Sequence, residues 1–258
     1  MPVKDHSAAR SPLGLAALQA AAGAPWDVTL LPTAGSTNEI AAANPGRWRV
    51  VVADHQLSGR GRLDRSWTTP PGTALTFSAV VEPNLEMRHW PLLPLAAGMA
   101  VADALRAVGA QPMLKWPNDV LLDSGKVAGI LVERIGEPGR AIIGIGINVD
   151  LERSELPVPT ATALSLEGLE VSRTSLLGGV LLALTARLSE LESDPASFVA
   201  SYRDASDTVG REVEAQLPGG VRERGRAVGV DDSGRLEIDV DGRVVTMAAG
   251  DVIHLRPV

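Results

Sequence analysis

The sequence predicts an α+β protein, a mixed β-sheet packed with helices and followed by a small all-β barrel. Three observations carry that expectation. Six apolar runs recur between residues 47 and 150, helix-period segments separate or follow them, and past residue 209 the texture changes to short strands with tight turns.

Taken in order, the N-terminal region has an alanine- and leucine-rich run between Pro12 and Gly23, broken by Gln19 and too short to span a bilayer. With Asp5 upstream and Pro and Gly at its flanks, it reads as a short amphipathic helix of a cytoplasmic chain with no membrane segment, rather than as a signal peptide. In STNEI, residues 36 to 40, Ser36 and Glu39 fit a capping box opening a helix that runs through Ala41 to Ala43. RWRVVVADHQ, TALTFSAVVE, PMLKW, DVLLD, KVAGILVERI and RAIIGIGINVD then read as strands of one sheet. Residues 91 to 109 have helical periodicity and end at a glycine, which suits a helix covering that sheet. Ser124-Gly125 reads as a two-residue hairpin turn, so the strands on either side should be antiparallel neighbours, which speaks against a purely parallel sheet. A second long helix is expected over residues 173 to 193. REVEAQLP, ERGRAVGVD, GRLEIDVD, RVVTMAAG and DVIHLRP form the barrel. The boundary falls near Thr208 to Arg211, giving units 1–208, with residues 1–25 as an N-terminal extension, and 209–258.

Composition narrows the function. The chain has 258 residues, 45% hydrophobic and 21% charged, enough for one sizeable core. There are no cysteines, which removes disulfides, thiolate metal sites and cysteine nucleophiles together. His6, His55, His89 and His254 have no metal-binding spacing. A net charge of −7 argues against nucleic-acid binding by the surface as a whole. Any anion site must be local.

SGRGRLDRSW, residues 58 to 67, is such a place: Arg60, Arg62 and Arg65 are interleaved with Gly59 and Gly61. Glycines let backbone amides and guanidinium forks converge on one phosphate or carboxylate. The alternative is a solvated hairpin loop. GxxxxGK[ST] is absent, and GIGINV at 144 to 149 lacks the third glycine of a dinucleotide fingerprint. In KWPND, residues 115 to 119, Pro117 presents Trp116, Asn118 and Asp119 at a strand end beside Lys115; read alone, this is equally a capped tight turn. Lys126 stands at the entrance of the next apolar run, where a lysine is commonly a solvated edge residue.

In this order and spacing, STN at 36, Gln56 with SGRGR at 58, Trp67, KWPND at 115, KVAGIL at 126 and GIGIN at 144 resemble the biotin protein ligases. The resemblance covers about residues 30 to 150 and, more loosely, the tail ending GDVIHLRP. It implies a biotin/lipoate ligase fold, akin to class II synthetases, with an SH3-like barrel. It also implies a two-step reaction: biotin and ATP give biotinyl-5′-AMP and pyrophosphate, and a lysine of a biotin carboxyl carrier domain then takes the biotinyl group. By motif position, Arg60 and Arg62 would hold the biotin carboxylate and the α-phosphate, with Lys126 approaching from the opposite wall; Lys126 and Arg62 are the catalytic candidates. Ser36, Thr37, Asn38 and Gln56 would read the ureido end of biotin, while Gly59, Gly129 and Gly144 leave room for ligand. Trp67 would underlie the adenylate, Arg65 would help close the loop, and Asn118, Asn148 and, from the tail, Arg256 would contact the nucleotide. Asp119 is the candidate ligand of Mg²⁺. The glycine-rich loop is expected to be disordered over roughly residues 57 to 68 until biotin and ATP bind, shielding the anhydride from water.

Asp64 stands where many members of the family have glycine, and Asp251 where glutamate is frequent. About 25 residues precede the resembling region, too few for the winged helix-turn-helix that some members carry, so no operator binding is expected. The acceptor is expected to be the carrier domain of acetyl-CoA or acyl-CoA carboxylase or of pyruvate carboxylase, and the protein a monomer or homodimer. A lipoate ligase or acyltransferase is the nearest rival. A biotin-binding module without catalysis is disfavoured because it has no use for a phosphate clamp.

Overall fold

The computed structural model describes residues 10–62, 65–136, 139–216, 222–248 and 251–254. The chain opens with α1 (Leu15–Ala22), β1 (Asp27–Ala34), α2 (Thr37–Ala43) and β2 (Arg49–Gln56). Two short strands follow, β3 (Gly59–Arg60) and β4 (Ser66–Trp67), then β5 (Ala74–Val81) and α3 (Leu93–Ala107). The central run is β6 (Met113–Lys115), β7 (Asp119–Leu122), β8 (Gly125–Ile135) and β9 (Arg140–Asn148). After α4 (Arg173–Ser193) and α5 (Pro195–Ala205) come β10 (Glu212–Gln216), β11 (Arg222–Val230), β12 (Leu236–Val240), β13 (Arg243–Met247) and β14 (Asp251–His254).

The first nine strands, less β3 and β4, form a seven-stranded sheet in the order β1-β2-β5-β9-β8-β7-β6. It is mixed as expected: β1 and β2 are parallel and every other neighbouring pair is antiparallel. The hairpin at β7 and β8 forms, one residue earlier than the sequence suggested. Gly125 pairs with Leu122, so Asp123 and Ser124 make the turn. Gly125 instead serves a strand position with φ +152°, where a β-carbon would lie 2.9 Å from the carbonyl carbon of Thr160.

Alternation assigns the two faces of the sheet. Val50 and Val52 of β2, Leu75 and Phe77 of β5, and Ile143, Ile145 and Ile147 of β9 join one core with Leu95, Met99 and Leu105 of α3 and Leu177, Leu181 and Leu184 of α4. On the opposite face, Val51, Val80 and Ile142 pack with Ala41 of α2. Among the described helices, α4 is long and apolar enough to cross a membrane. Its apolar stripe is occupied within the fold, against α1 and α3, and its first residue, Arg173, is buried with a guanidinium nitrogen 2.8 Å from Asp54 on β2.

The last five strands form an antiparallel sheet in the order β13-β12-β11-β10-β14, each overlapping a run expected from sequence, with β11 starting one residue earlier at Arg222. Trp116 ties this unit to the larger one. Its ring N–H donates to the carbonyl of Gly234 and its backbone N–H to Thr208 Oγ1, both at 2.9 Å. Thr208 Oγ1 is in turn 2.9 Å from His254 Nε2, so one hydroxyl joins the Trp116 backbone to the imidazole of β14.

Burial, with Lys115 and Arg211 nearby, pushes the His254 imidazole down from 6.5 to about 4, against the opposing pull of Asp207. A folded value below the unfolded one means that acid favours the unfolded chain. The contribution is complete above pH 6.5 and is lost as pH falls from 6.5 towards 4. Allowing for the part of the ring that meets solvent, it is on the order of 1 kcal/mol. Thermal midpoints of the wild type should therefore fall more steeply over that range than those of His254→Gln; parallel curves would refute the assignment.

Candidate active site

The face of the sheet away from α3 and α4 is kept flat by glycine. At Gly144 a β-carbon would run into Asn38 Oδ1, at Gly146 it would lie 2.6 Å from Trp67 Nε1, and at Gly129 it would lie 3.1 Å from Lys126 Nζ and from the Trp67 ring. Three side chains from distant segments thus lie directly on bare backbone.

One end of this floor is a buried polar chain. Thr37 donates its backbone N–H and its hydroxyl to Gln56 Oε1, at 2.9 and 3.2 Å. Ser78 Oγ lies 2.7 Å from Thr37 Oγ1 and 2.6 Å from Asn38 Oδ1, and Asn38 Nδ2 donates to Glu133 at 2.6 Å. The Gln56 amide packs against Gly59, where any β-carbon would overlap it. Ser36 is buried beside this chain, but the capping box does not form: its side chain makes no cap bond. Gln56 meets the first amide of α2 instead, and Glu39 pairs with Arg60.

The other end is positive. β3 and β4 make a hairpin of their own, pairing Gly59 with Trp67 and Arg60 with Ser66. Within it Gly61 N–H donates to Arg65 O at 2.6 Å, and Arg65 N–H to Arg62 O at 3.2 Å. Leu63 and Asp64 lie outside the described residues, as does Arg256. Arg62 donates to Asn118 Oδ1 at 3.2 Å, and Asn118 Nδ2 donates to Ile130 O at 2.8 Å. Lys126 Nζ is 2.5 Å from Asp119 Oδ1 and 5.8 Å from the centre of the Trp67 ring.

A cleft of about 450 Å³ opens between the arginine hairpin, the Pro117-Asn118 turn, β8 and the tail residues Gly234 and Ala248. Beside this cleft and not among the residues that line it, Trp67 Nε1 and Asn148 Oδ1 are buried on the glycine floor with no hydrogen-bond partner. Each such group costs about 1–3 kcal/mol, so a ligand that meets them gains what the free protein forgoes. Among the described residues no three histidine or acidic side chains cluster as a metal cage. Oxygen donors are nonetheless present in Asp119 and the unpartnered Asn148 Oδ1, the donor type that suits Mg²⁺.

The structure therefore brings together Ser36, Thr37, Asn38 and Gln56 with Gly59 and Gly144 at one end, and Lys126, Trp67, Asp119 and Gly129 at the other. Sequence reasoning passed over Ser78, Glu133 and Thr162. Ser78 had a signal, since Thr76 and Ser78 are polar residues at alternate positions of an otherwise apolar strand; the other two had none.

Comparison with known proteins follows the same lines. Residues 32–150 match the profile described as the biotin/lipoate A/B protein ligase family, and residues 208–255 that of the biotin protein ligase C terminal domain. The chain is 37% identical over 246 residues to a biotin–[acetyl-CoA-carboxylase] ligase of Mycobacterium tuberculosis, covering 91% of this chain and 92% of that one. It is 30% identical over 232 residues to the bifunctional ligase/repressor BirA of Bacillus subtilis, covering 86% of this chain and 71% of that one. Among solved structures, the biotin protein ligase from Aquifex aeolicus in complex with biotin and ATP superposes with a TM-score of 0.77 at 28% identity, covering 90% and 99% of the two chains.

Gly146→Ala would drive a methyl group into the Trp67 indole, at a cost of about 1–3 kcal/mol. Thermal unfolding should show the loss, and adding Trp67→Ala to the same chain should recover part of it. Additive destabilisation by the two changes would place the indole elsewhere.

Proposed function

The chain belongs to the biotin protein ligase family, and from that premise we propose that it joins biotin to ATP as biotinyl-5′-AMP and then passes the biotinyl group to one lysine of a carrier domain. The observation that carries the reading is the meeting of Lys126, Trp67 and the arginine hairpin over the glycine floor, at the end of a buried polar chain.

The first step brings a carboxylate and a triphosphate together, so repulsion between anions is the main obstacle. Arg62, on the hairpin, and Lys126, on β8, would approach the reacting oxygens from opposite walls. Both are held by neutral or anionic neighbours, Asn118 and Asp119, which an arriving phosphate can replace. Arg60, drawn to Glu39, joins them when the hairpin closes, with Arg65 and, from the tail, Arg256. Closure over the ligands keeps water from the mixed anhydride. Thr37, Asn38 and Gln56 supply donors and acceptors to the ureido ring, beside buried Ser36. Gly59, Gly129 and Gly144 leave the ring system its space, and Trp67 gives the adenylate an apolar platform. Asn118 and Asn148 meet the nucleotide. Mg²⁺ bound with ATP would supply charge neutralisation at the phosphate oxygens, Asp119 offering a carboxylate to it.

A carboxylase carrier domain is the acceptor, of acetyl-CoA carboxylase or, equally within this chemistry, of pyruvate carboxylase. β1 and β6 are the edges of the larger sheet, and an extended carrier segment can add to such an edge. The catalytic unit ends near residue 208, where the tail strands begin.

With biotin, MgATP and a carboxylase carrier domain, the carrier should gain the mass of one biotinyl group. Transfer of lipoate in place of biotin would favour the rival ligase, and no transfer of either would defeat the reading. Lys126→Ala should lower adenylate formation by about 10²-fold or more with an unchanged thermal midpoint; a fully active variant would remove Lys126 from the mechanism. Arg62→Gly should speed leakage of preformed adenylate into solution, and unchanged retention would show that the hairpin charge is not the clamp.

A further inference from the structure

Lys126 and Asn148 come from neighbouring strands that separate at this end of the sheet. The ladder between β8 and β9 ends where Ala128 faces Ile147, so the backbone of Lys126 has no partner on β9. A short segment of the following loop takes that place. Lys126 N–H donates to Thr160 O at 2.8 Å, and Thr162 N–H donates to Lys126 O at 2.9 Å, a parallel bridge centred on Ala161. The carbonyl of the same Thr162 accepts from Asn148 Nδ2 at 2.9 Å. Thr162 is thus the wedge in the fork, bonded to a site residue on each branch.

The second of these bonds decides an orientation. An asparagine amide has a donating and an accepting end. With its nitrogen fixed on Thr162, the oxygen of Asn148 must face the other way, and that oxygen is buried and unpartnered. What holds the wedge is its own side chain. Thr162 is 1% exposed; its hydroxyl donates to Glu167 at 2.8 Å and lies 2.8 Å from the hydroxyl of Ser124 in the β7–β8 turn, which itself reaches the same Glu167 oxygen. The start of the loop is tied separately, by Arg10, whose guanidinium lies 3.1 Å from Asp150 and 2.7 Å from Glu155.

We propose that Thr162 is a positioning residue for adenylate formation: its hydroxyl, held by Ser124 and Glu167, fixes a backbone that sets the root of Lys126 and chooses which atom of Asn148 meets the ligand. The assignment rests on the ligase reading above and extends it to a residue that touches no substrate. Misplacing a reacting group by about 1 Å can cost about 10²-fold in rate, so a smaller displacement at the root of Lys126 is expected to cost about tenfold.

Thr162→Val removes the hydroxyl and keeps the branched shape, whereas Thr162→Ser keeps the hydroxyl. Two quantities decide the matter, pyrophosphate release during turnover of biotin and MgATP with saturating carrier domain present to consume the adenylate, and hydrogen exchange of the backbone amide of Lys126 without ligand. The valine variant should lose about tenfold in kcat with KM little changed and exchange Lys126 faster, and the serine variant should restore both. A valine variant with wild-type turnover, a loss confined to KM, unaltered exchange at Lys126, or failure of serine to rescue would each overturn the proposal. If the wild type itself releases no pyrophosphate, it is the ligase reading that fails, and the exchange comparison still decides whether Thr162 holds Lys126.

Discussion

The structure depends on the alternation of one strand. Ile143, Ile145 and Ile147 point from β9 into the helix layer, while Gly144, Gly146 and Asn148 point the other way. A period of two makes these assignments inseparable: a shift of register by one residue would bury glycine and expose isoleucine. The core therefore locks the floor of the site. Each isoleucine buried contributes on the order of 1.5–3 kcal/mol, while each glycine opposite forgoes such packing and leaves a surface on which Asn38 and Trp67 can rest. Stability and vacancy come from the same nine residues.

Around that floor the cations are provisionally partnered. Lys126 has Asp119, Arg60 has Glu39, and Arg62 has Asn118. Such partly exposed pairs are worth little, about 0–1 kcal/mol, so on the ligase reading an incoming phosphate or carboxylate would replace them at small cost. Strong buried pairs would have been obstacles. Among the described residues the deeply buried guanidinium is that of Arg173, against Asp54, at the start of α4, where it ties a helix to the sheet.

Much of this was legible in the sequence, for reasons that can be located. Six of the seven sheet strands stand out because they are apolar on one or both faces. β1 did not, because Pro32 interrupts it; the strand tolerates this at the sheet edge, where Pro32 has no partner in the ladder with β2. α5 was missed because its apolar positions are few, Phe198, Val199 and Tyr202. Its start signal was local: Asp194 accepts from the amides of Ala196 and Ser197 ahead of Pro195. At STNEI the sequence read a capping box because Ser and Glu stand at the right spacing, whereas Gln56 and Arg60, far along the chain, outcompete that local bond. The site motifs were readable as types and in order. Their partners, Ser78, Glu133 and Thr162, became visible only when the sheet brought them alongside.

That division follows from how the site is assembled. Residues that meet a ligand must be of particular chemical types, so they leave a mark in the sequence. Residues that aim them act largely through backbone groups, which every residue possesses. Thr162 contributes an N–H and a C=O that almost any side chain could offer at that place. What distinguishes it is the hydroxyl that keeps those groups in register with Ser124 and Glu167. The floor and this wedge are fixed parts, built into the ladder and its fork. The β3–β4 hairpin pairs with neither sheet and is seated on the floor through side chains, Trp67 on Gly129 and Gly146 and Arg62 on Asn118. Placement below rests on ladder hydrogen bonds within the sheet, whereas the hairpin above is a separate ladder held to it by these contacts.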